Sequence, residues 1–293
     1  MNWLILATSS ALCSAAAAIA EKKALFRISA LEFSLSVSLL VLLLSLFVPL
    51  TVDVATIPGS QVLLIVGKSI LGGGAFLLVM LSLRHNEISE ALPLLGLTPA
   101  VAALLSMASL GDGLSWREWL GIVLMIAGIY VLEKKPGGGI LVPLKSLFTA
   151  KGHRYVFSAL ALFAISSVLD KLLISGYRVD PLVVLFYQHC TYAGIFAVAV
   201  FSRRSVTRSF SLHAREQLPL IALVAILTLG YRITQLEATK EAPVALVLAV
   251  KRTSILFASL LGGKLFSDER LNWKLAGGAL IVAAGFFILR NVG

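Results

Sequence analysis

Long apolar runs, each about as long as a membrane-spanning helix, recur along almost the whole chain. A helix needs about 20 apolar residues to cross the hydrocarbon core of a bilayer. Runs of that length cover residues 2–20, 28–50, 61–83, 87–110, 115–133, 154–176, 181–202, 216–238, 242–266 and 271–290. The sequence therefore predicts an all-α polytopic membrane protein with ten transmembrane helices.

Composition and charge argue against the soluble classes. Of the 293 residues, 58% are hydrophobic and 14% are charged, whereas soluble domains carry about 25% charged residues. The net charge of +10 does not indicate nucleic-acid binding, because the cations occupy short loops between apolar runs and do not line one surface. Cys13 and Cys190 lie far apart in apolar runs, so we expect no disulfide framework, no metal site and no cofactor.

The first apolar run is interpreted as a retained span. The small residues at 16–20 resemble the cleavage site of a secretory signal. However, no cation precedes the run, and Lys22 and Lys23 follow it. A secretory signal has the opposite order of charges, so we expect this segment to stay in the membrane.

The two halves of the chain repeat one another. Residues Trp116–Gly121 recur as Trp273–Gly278, and Gly128 and Gly285 keep the same offset. An internal repeat of this kind is typical of polytopic transporters. Because each half holds an odd number of spans, the second half must run through the membrane inverted. We therefore expect a first five-helix repeat, a cytoplasmic linker and a second five-helix repeat at residues 1–133, 134–153 and 154–293.

The distribution of Lys and Arg predicts the orientation. The loops that follow the odd-numbered spans, with their flanks, hold 16 of these residues, and the loops and ends on the other side hold four. Cytoplasmic loops are the ones enriched in Lys and Arg. The bias predicts a protein of the cytoplasmic (inner) membrane with both termini on the non-cytoplasmic side.

The order of several short motifs carries a resemblance to a known family. The motifs are Ile88–Leu92, Leu97–Pro99, Leu110–Asp112 and Gly121 with Gly128, followed in the second half by Phe266–Leu271 and Gly278 with Gly285. With five plus five inverted spans, the chain resembles the drug/metabolite transporter superfamily, specifically its EamA-type branch. The resemblance implies a secondary carrier of small metabolites. Asp112 departs from the family pattern, which usually has Glu there. The predicted orientation also departs, since well-known members are drawn with both termini in the cytoplasm.

An adjacent pair of cations, Lys251-Arg252, interrupts the ninth apolar run. Each charge at the centre of a membrane helix costs about 2.5–3.5 kcal/mol, so the pair must be compensated or used. By helix rise, Lys251, Arg232 and Lys68 lie roughly 10–13 Å below the same membrane face. We therefore predict that these cations converge on a water-filled cavity that binds an anionic group. Because neighbours on a helix point about 100° apart, at most one of the pair is expected to face the cavity.

No carboxylate is expected at the depth of these cations. Glu237 lies nearer the membrane surface, while Asp170 with Lys171, and Glu21 with Lys22, are expected to pair locally near helix ends. The sequence thus predicts an unbalanced positive charge. The cationic pair also resembles the anion-binding pair of the plastid sugar-phosphate members of the superfamily.

The seventh span contains a second polar cluster. Tyr187, Gln188 and Tyr192 are expected to line the same cavity, and His189 lies among them. Histidine titrates near neutral pH, so His189 is a candidate for coupling proton movement to transport. Glu32 in the second span is an alternative proton site, because carboxylates inside the membrane are rare and usually functional.

These features together predict a secondary-active transporter of small metabolites that carry an anionic group, such as amino acids, working by alternating access in the efflux direction. A carrier of phosphorylated or lipid-linked intermediates is the alternative, since basic residues between helices also suit lipid phosphates. An enzyme or a channel is less favoured, because the sequence has no Gly-x-Ser-x-Gly or His-Glu-x-x-His motif and no apolar re-entrant loop.

The expected partners are a solute and the lipid bilayer. Proton coupling stays open, and the chain is expected to be a monomer or a homodimer. The candidate substrate-binding residues are Lys251, Arg252, Arg232, Lys68, Gln188, Tyr187 and His189.

Overall fold

The computed structural model describes residues 2–85, 95–133, 151–202, 216–265 and 271–289. These residues form helices with short connections, and no strand occurs among them, as the sequence predicts. The main helices are α1 (Trp3–Leu25), α2 (Ala30–Leu44), α3 (Gly59–His85), α4 (Thr98–Leu110), α5 (Trp116–Glu133), α6 (Lys151–Lys171), α7 (Pro181–Phe201), α8 (Leu218–Glu241), α9 (Val244–Leu265) and α10 (Leu271–Leu289). A 3₁₀ turn, Ser45–Phe47, and a short helix, Val48–Thr51, extend α2, and a π-helical turn, Leu172–Gly176, extends α6.

Short polar side chains explain where several helices begin. The Ser29 hydroxyl accepts a hydrogen bond from the Glu32 amide, and the Glu32 carboxylate accepts one from the Ser29 amide. This capping box satisfies two amides that the start of α2 would otherwise leave without partners. Asp180 caps α7 by accepting a hydrogen bond from the Leu182 amide. The structure thus gives Glu32 a capping role at a helix end, and its role as an alternative proton site stays a prediction.

Among the residues that the structure describes, six helical segments are long and apolar enough to cross a membrane. They are Trp3–Leu25, Ala30–Thr51, Gly59–Arg84, Arg154–Gly176, Pro181–Phe201 and Leu218–Glu241, and Thr98–Leu110 and Ala276–Gly285 are apolar but shorter. Large apolar side chains also point outward, among them Leu50 at 87% and Leu63 at 73% exposure. Such a surface suits lipid contact. The chain is a multi-pass membrane protein, while its full number of spans remains a prediction.

Helix packing follows the predicted repeat. Helix α1 packs mainly on α8 and α9, and α6 packs on α3 and α4. Each helix of the first half has a counterpart five places later, so that α1 corresponds to α6, α3 to α8 and α4 to α9. Under this correspondence the contacts of α1 with α8 and α9 become the contacts of α6 with α3 and α4. The pairs α2 with α7, and α5 with α10, map onto themselves under the same correspondence. This pattern of contacts supports two structurally related halves packed against each other.

The helices α5 and α10 approach closely at Gly128. A Cβ atom added to Gly128 would lie 2.8 Å from the Gly277 carbonyl oxygen and 2.8 Å from Ile281 Cγ1. Gly285 is its counterpart in the repeat, and a Cβ there would meet only Thr253 Cγ2, at 4.0 Å. Small residues let membrane helices pack with their backbones close together. The sequence repeat therefore conserves the residue type but not its packing role.

This asymmetry predicts different effects for matched substitutions. We expect Gly128→Ala to lower stability by about 1–3 kcal/mol, because the added methyl group forces the two backbones apart. Gly285→Ala should leave stability unchanged or raise it slightly, since alanine is the better helix former. Thermal unfolding in detergent, followed by tryptophan fluorescence, measures both. Equal melting temperatures for the two variants would contradict the packing described here.

Candidate functional site

A central cavity of about 140 Å³ lies among α1, α2, α3, α6, α7, α8 and α9. On this scale a single water needs about 10–15 Å³, so the cavity has room for roughly ten waters or one small metabolite. Polar and charged side chains line one part of its wall, and Val37, Phe76, Val79 and Met80 line another. Pockets with a mostly apolar wall and a few placed polar groups are typical of small-molecule sites.

A buried ion network forms one edge of the cavity. The Lys68 ammonium donates a hydrogen bond to Asp170 Oδ1 at 2.6 Å, and Arg232 Nη2 donates to Asp170 Oδ2 at 2.6 Å. Gln188 Oε1 accepts from Lys68 Nζ at 2.6 Å and from Arg232 Nη2 at 2.6 Å. The network therefore links α3, α6, α7 and α8 through one carboxylate and one amide.

The expectation that no carboxylate lies at the depth of the cations is wrong. Asp170 does not pair with its neighbour Lys171, which donates instead to the carbonyl oxygens of Thr239 and Ala242 at the end of α8, both at 2.9 Å. Those carbonyls lack helical partners, so a lysine suits them. Successive residues on a helix point in different directions, which leaves Asp170 facing Lys68 and Arg232 while Lys171 faces away.

One further contact differs from the expectation, and another agrees with it. Lys22 does not simply pair with Glu21, because its ammonium donates to the Leu83 carbonyl oxygen at the end of α3, at 2.5 Å. Glu237 forms an ion pair with Lys240 at 2.9 Å, and both side chains are partly exposed. Glu237 is therefore engaged near the surface and neutralises none of the buried cations.

The cationic pair of α9 is arranged differently from the ion network. Lys251 Nζ donates to Gln235 Oε1 at 2.5 Å and lies 4.3 Å from the centroid of the Tyr231 ring. Arg252 Nη2 donates to Thr98 Oγ1 at 3.0 Å, while its buried Nε has no hydrogen-bond partner in the described part of the chain. Neither residue forms an ion pair with another described residue. Both line the cavity, whereas the sequence predicted that at most one would.

His189 is a buried polar residue without internal partners. Its side chain is almost fully buried, and neither ring nitrogen has a hydrogen-bond partner among the described residues. The ring lines the cavity and packs edge-on against Tyr192, with 5.6 Å between centroids. Buried polar groups are almost always hydrogen-bonded. His189 therefore has two nitrogen atoms available to whatever occupies the cavity.

The predicted site residues divide into two groups. Five of them, Lys251, Arg252, Arg232, Gln188 and His189, line the cavity. Lys68 lies outside the wall and is fully buried beside Asp170. Tyr187 also lies outside it, because its hydroxyl donates to the Val54 carbonyl oxygen at 3.0 Å. The position of these two residues differs from the prediction that they line the cavity.

The cavity residues that were not predicted as part of the site include Asp170, Gln235 and Glu21. Asp170 lies six residues before the end of the π-helical turn after α6, which is roughly 9 Å along the helix. This depth is close to that of Lys68, so helix rise alone places Asp170 near the cations, and the expected local pair with Lys171 was the error. Gln235 lies one helical turn from Arg232, on the same face of α8.

Comparison with known proteins decides the family. A sequence model of the EamA-like transporter family matches residues 1–133 and 150–291. The chain belongs to this family. One solved crystal structure aligns with 97% of this EamA chain and 95% of its own chain, with a TM-score of 0.70 and 17% identity. That likeness supports the fold alone. The comparison with curated proteins finds no match.

Family membership defines the general activity. EamA-like proteins are transporters and not enzymes, so this chain is a membrane transporter of small solutes. Within the described residues, no group of three or more His, Cys, Asp or Glu side chains is placed to hold a metal ion. The central cavity, which is lined by helices of both halves, is therefore the candidate solute site.

Proposed function

We propose that this EamA transporter carries small solutes with an anionic group, a carboxylate or a phosphate, and exports them by secondary-active transport. The main observation is the Lys251-Arg252 pair, which lines the central cavity without a carboxylate partner among the described residues. Buried charges without a counter-ion are costly, so such a pair favours an anionic ligand.

The ion network explains why the two cation groups have different roles. Asp170 already binds Lys68 and Arg232 at 2.6 Å each. One carboxylate between two cations leaves one positive charge in excess, Lys251 and Arg252 add two more, and Glu21 in the cavity wall removes one. The network thus keeps the local potential positive while holding Gln188 and Arg232 in fixed positions. In this proposal Lys251 and Arg252 bind the solute, and Lys68 supports the site from behind.

His189 supplies hydrogen bonds in the same proposal. A neutral imidazole offers one donor and one acceptor, and both ring nitrogens lack partners in the described structure. The proposal assigns His189 to orienting the solute at the cavity wall. The same side chain remains the candidate for the proton coupling predicted from the sequence.

The proposed mechanism is alternating access between two inverted five-helix repeats, at residues 1–133 and 154–293. The exchange of helix pairs between the halves supports this arrangement, since inverted repeats commonly rock about a central site. The proposed membrane is the cytoplasmic membrane, with the linker 134–153 in the cytoplasm and both termini outside. Excess Lys and Arg in the corresponding loops supports that orientation.

A ligand screen tests the anion proposal. Purified wild-type protein is heated with carboxylates, sugar phosphates, neutral sugars and organic cations, each at several concentrations. An anion present at 100 times its dissociation constant should raise stability by about 2.7 kcal/mol. We expect stabilisation by members of the anionic set and none by matched neutral or cationic compounds. Stabilisation by cations alone would refute an anion-binding cavity.

A further inference from the structure

The end of α6 is joined to α8 by three polar contacts. Arg232 Nη2 donates to Asp170 Oδ2 at 2.6 Å, and Lys171 Nζ donates to the Thr239 carbonyl oxygen at 2.9 Å. Ser175 Oγ, in the π-helical turn that extends α6, donates to the same oxygen at 3.3 Å. Turns of this kind are rare and occur frequently at functional sites. We call these three contacts the α6–α8 bridge.

The α6–α8 bridge holds two packed groups of helices together at one end of the cavity. Helix α6 packs mainly on α3 and α4, whereas α8 packs mainly on α1. Both α6 and α8 contribute to the cavity wall. Trp3, at the start of α1, packs in one apolar cluster with Ala238, near the end of α8. The bridge therefore lies on the side of the membrane at which α1 begins, which we call the α1 side.

An apolar cluster covers the ion network on the α1 side. Its buried members come from the same helices as the network and include Ile65, Leu173, Val184 and Leu236. None of these four side chains lines the cavity. Ile65 precedes Lys68 by three residues, which places it about 4–5 Å nearer to the start of α3. In the described structure, charged contacts and an apolar cluster thus separate the cavity from the α1 side.

The first repeat has a counterpart of the lysine contact. Glu21 and Lys22 follow one another near the end of α1, as Asp170 and Lys171 do at the end of α6. Lys22 donates to the Leu83 carbonyl oxygen at the end of α3, just as Lys171 donates at the end of α8. Because α3 and α8 correspond in the repeat, the two lysines tie equivalent helices on opposite sides of the membrane.

The ion pair of the bridge is not duplicated in the first repeat. Helix α3 has no charged residue between Lys68 and Arg84. It therefore offers Glu21 no equivalent of Arg232, the cation that α8 presents to Asp170. A buried ion pair is strongly destabilising to break, because each charge keeps its desolvation penalty when its partner is lost. The two sides of the transporter are thus closed by contacts of different strength.

We propose that the α6–α8 bridge is a latch that keeps the cavity closed on the α1 side, and that its ion pair breaks whenever the cavity opens there. This inference rests on the alternating access of the proposed function, in which corresponding helices of the two repeats open on opposite sides in turn. Since only the second repeat has the ion pair, the state closed on the α1 side is the resting state. In the proposed orientation that side is the non-cytoplasmic one.

Distances between spin labels, measured by pulsed electron paramagnetic resonance, test the latch in the full-length protein in lipid nanodiscs. One pair of labels, at Tyr177 and Lys240, follows the ends of α6 and α8. A second pair, at Lys23 and Arg84, follows the corresponding ends of α1 and α3. All four side chains are exposed. Opening of the latch should lengthen the first distance without lengthening the second.

Two variants and a matched control are compared in a Cys13→Ala/Cys190→Ala background that carries the labels. Asp170→Asn should raise the ratio of long to short distances in the first pair at least about tenfold, since a broken buried ion pair costs more than the 1.4 kcal/mol of a tenfold shift. Lys171→Met removes a contact outside the cavity wall and should lengthen the same distance to a smaller extent. Lys22→Met makes the same change of charge on the opposite side, so it should leave the first pair short.

The second pair of labels distinguishes a latch from a general loss of packing. If Asp170→Asn lengthens both distances alike, the bridge is only structural and the latch is refuted. A first distance that stays short in both Asp170→Asn and Lys171→Met also refutes it, as does an equal effect of Lys22→Met. Because Lys171→Met leaves the ion pair intact, it decides the question if Asp170→Asn does not fold. The distances are measured without solute, so a negative result refutes the latch and leaves the proposed anion transport standing.

Discussion

Asp170→Asn is expected to cause the largest loss of stability of any single substitution discussed for this protein. Asp170 is the only described carboxylate that contacts Lys68 and Arg232, and its own side chain is 3% exposed. Removing one partner of a buried ion pair costs about 3–5 kcal/mol, because the remaining charge keeps its desolvation penalty. Asparagine has almost the same shape, so the change isolates the charge. Thermal unfolding in detergent measures the loss.

A control and a second-site variant make this prediction specific. Asp53→Asn removes a carboxylate whose oxygen accepts only from the amide of Ala55 in an exposed connection. We expect it to change stability by less than about 1 kcal/mol. Adding Lys68→Met to Asp170→Asn removes one of the two stranded cations and should restore part of the lost stability. If the double variant loses the sum of two independent effects, the network does not act as one unit.

The second large effect concerns affinity. Lys251→Ala/Arg252→Ala should weaken anion binding by about 100-fold or more, because two charge-assisted hydrogen bonds of about 1.5–3 kcal/mol each are lost. Neither side chain has an ion-pair partner in the described residues, although the buried carboxylate of Glu21 lies in the same cavity wall. We therefore expect the fold to survive the double substitution, which the melting temperature without ligand checks. Calorimetric titration with the best anion from the screen measures the affinity.

A variant with the same change of net charge controls for long-range effects. Lys23→Ala/Lys240→Ala removes two exposed cations that do not line the cavity. We expect its affinity for the anion to match that of the wild type. A comparable loss in both double variants would mean that total charge, and not the cavity pair, determines binding.

The sequence alone predicts the all-helical architecture and the common level of Lys68 and Arg232. Apolar runs mark the spans because the bilayer sets their length, and helix rise places Lys68, Arg232 and Lys251 at one level. The structure brings Lys68 and Arg232 onto the same carboxylate. Depth along a helix is thus accessible from residue number, because it depends on a single local geometry.

Direction around a helix is harder to predict, and the errors follow from it. Asp170 and Lys171 are neighbours in sequence, but they face different helices and have different partners. Tyr187 and Gln188 are also neighbours, yet only Gln188 lines the cavity. Which face of a helix meets which neighbour depends on the packing of all helices, and that information is not local. For the same reason, matching positions in the sequence repeat do not predict matching contacts, since Gly128 and Gly285 correspond in sequence and differ in packing.

The most direct test of the central claim is counterflow of a labelled anion in proteoliposomes. Vesicles that contain the transporter are loaded with the unlabelled anion that stabilises it best, and a trace of the labelled anion is added outside. An anion carrier that works by alternating access should accumulate the label transiently, and Lys251→Ala/Arg252→Ala should not. If the wild type shows no accumulation, or if both proteins accumulate the label equally, the cavity pair does not carry anion transport.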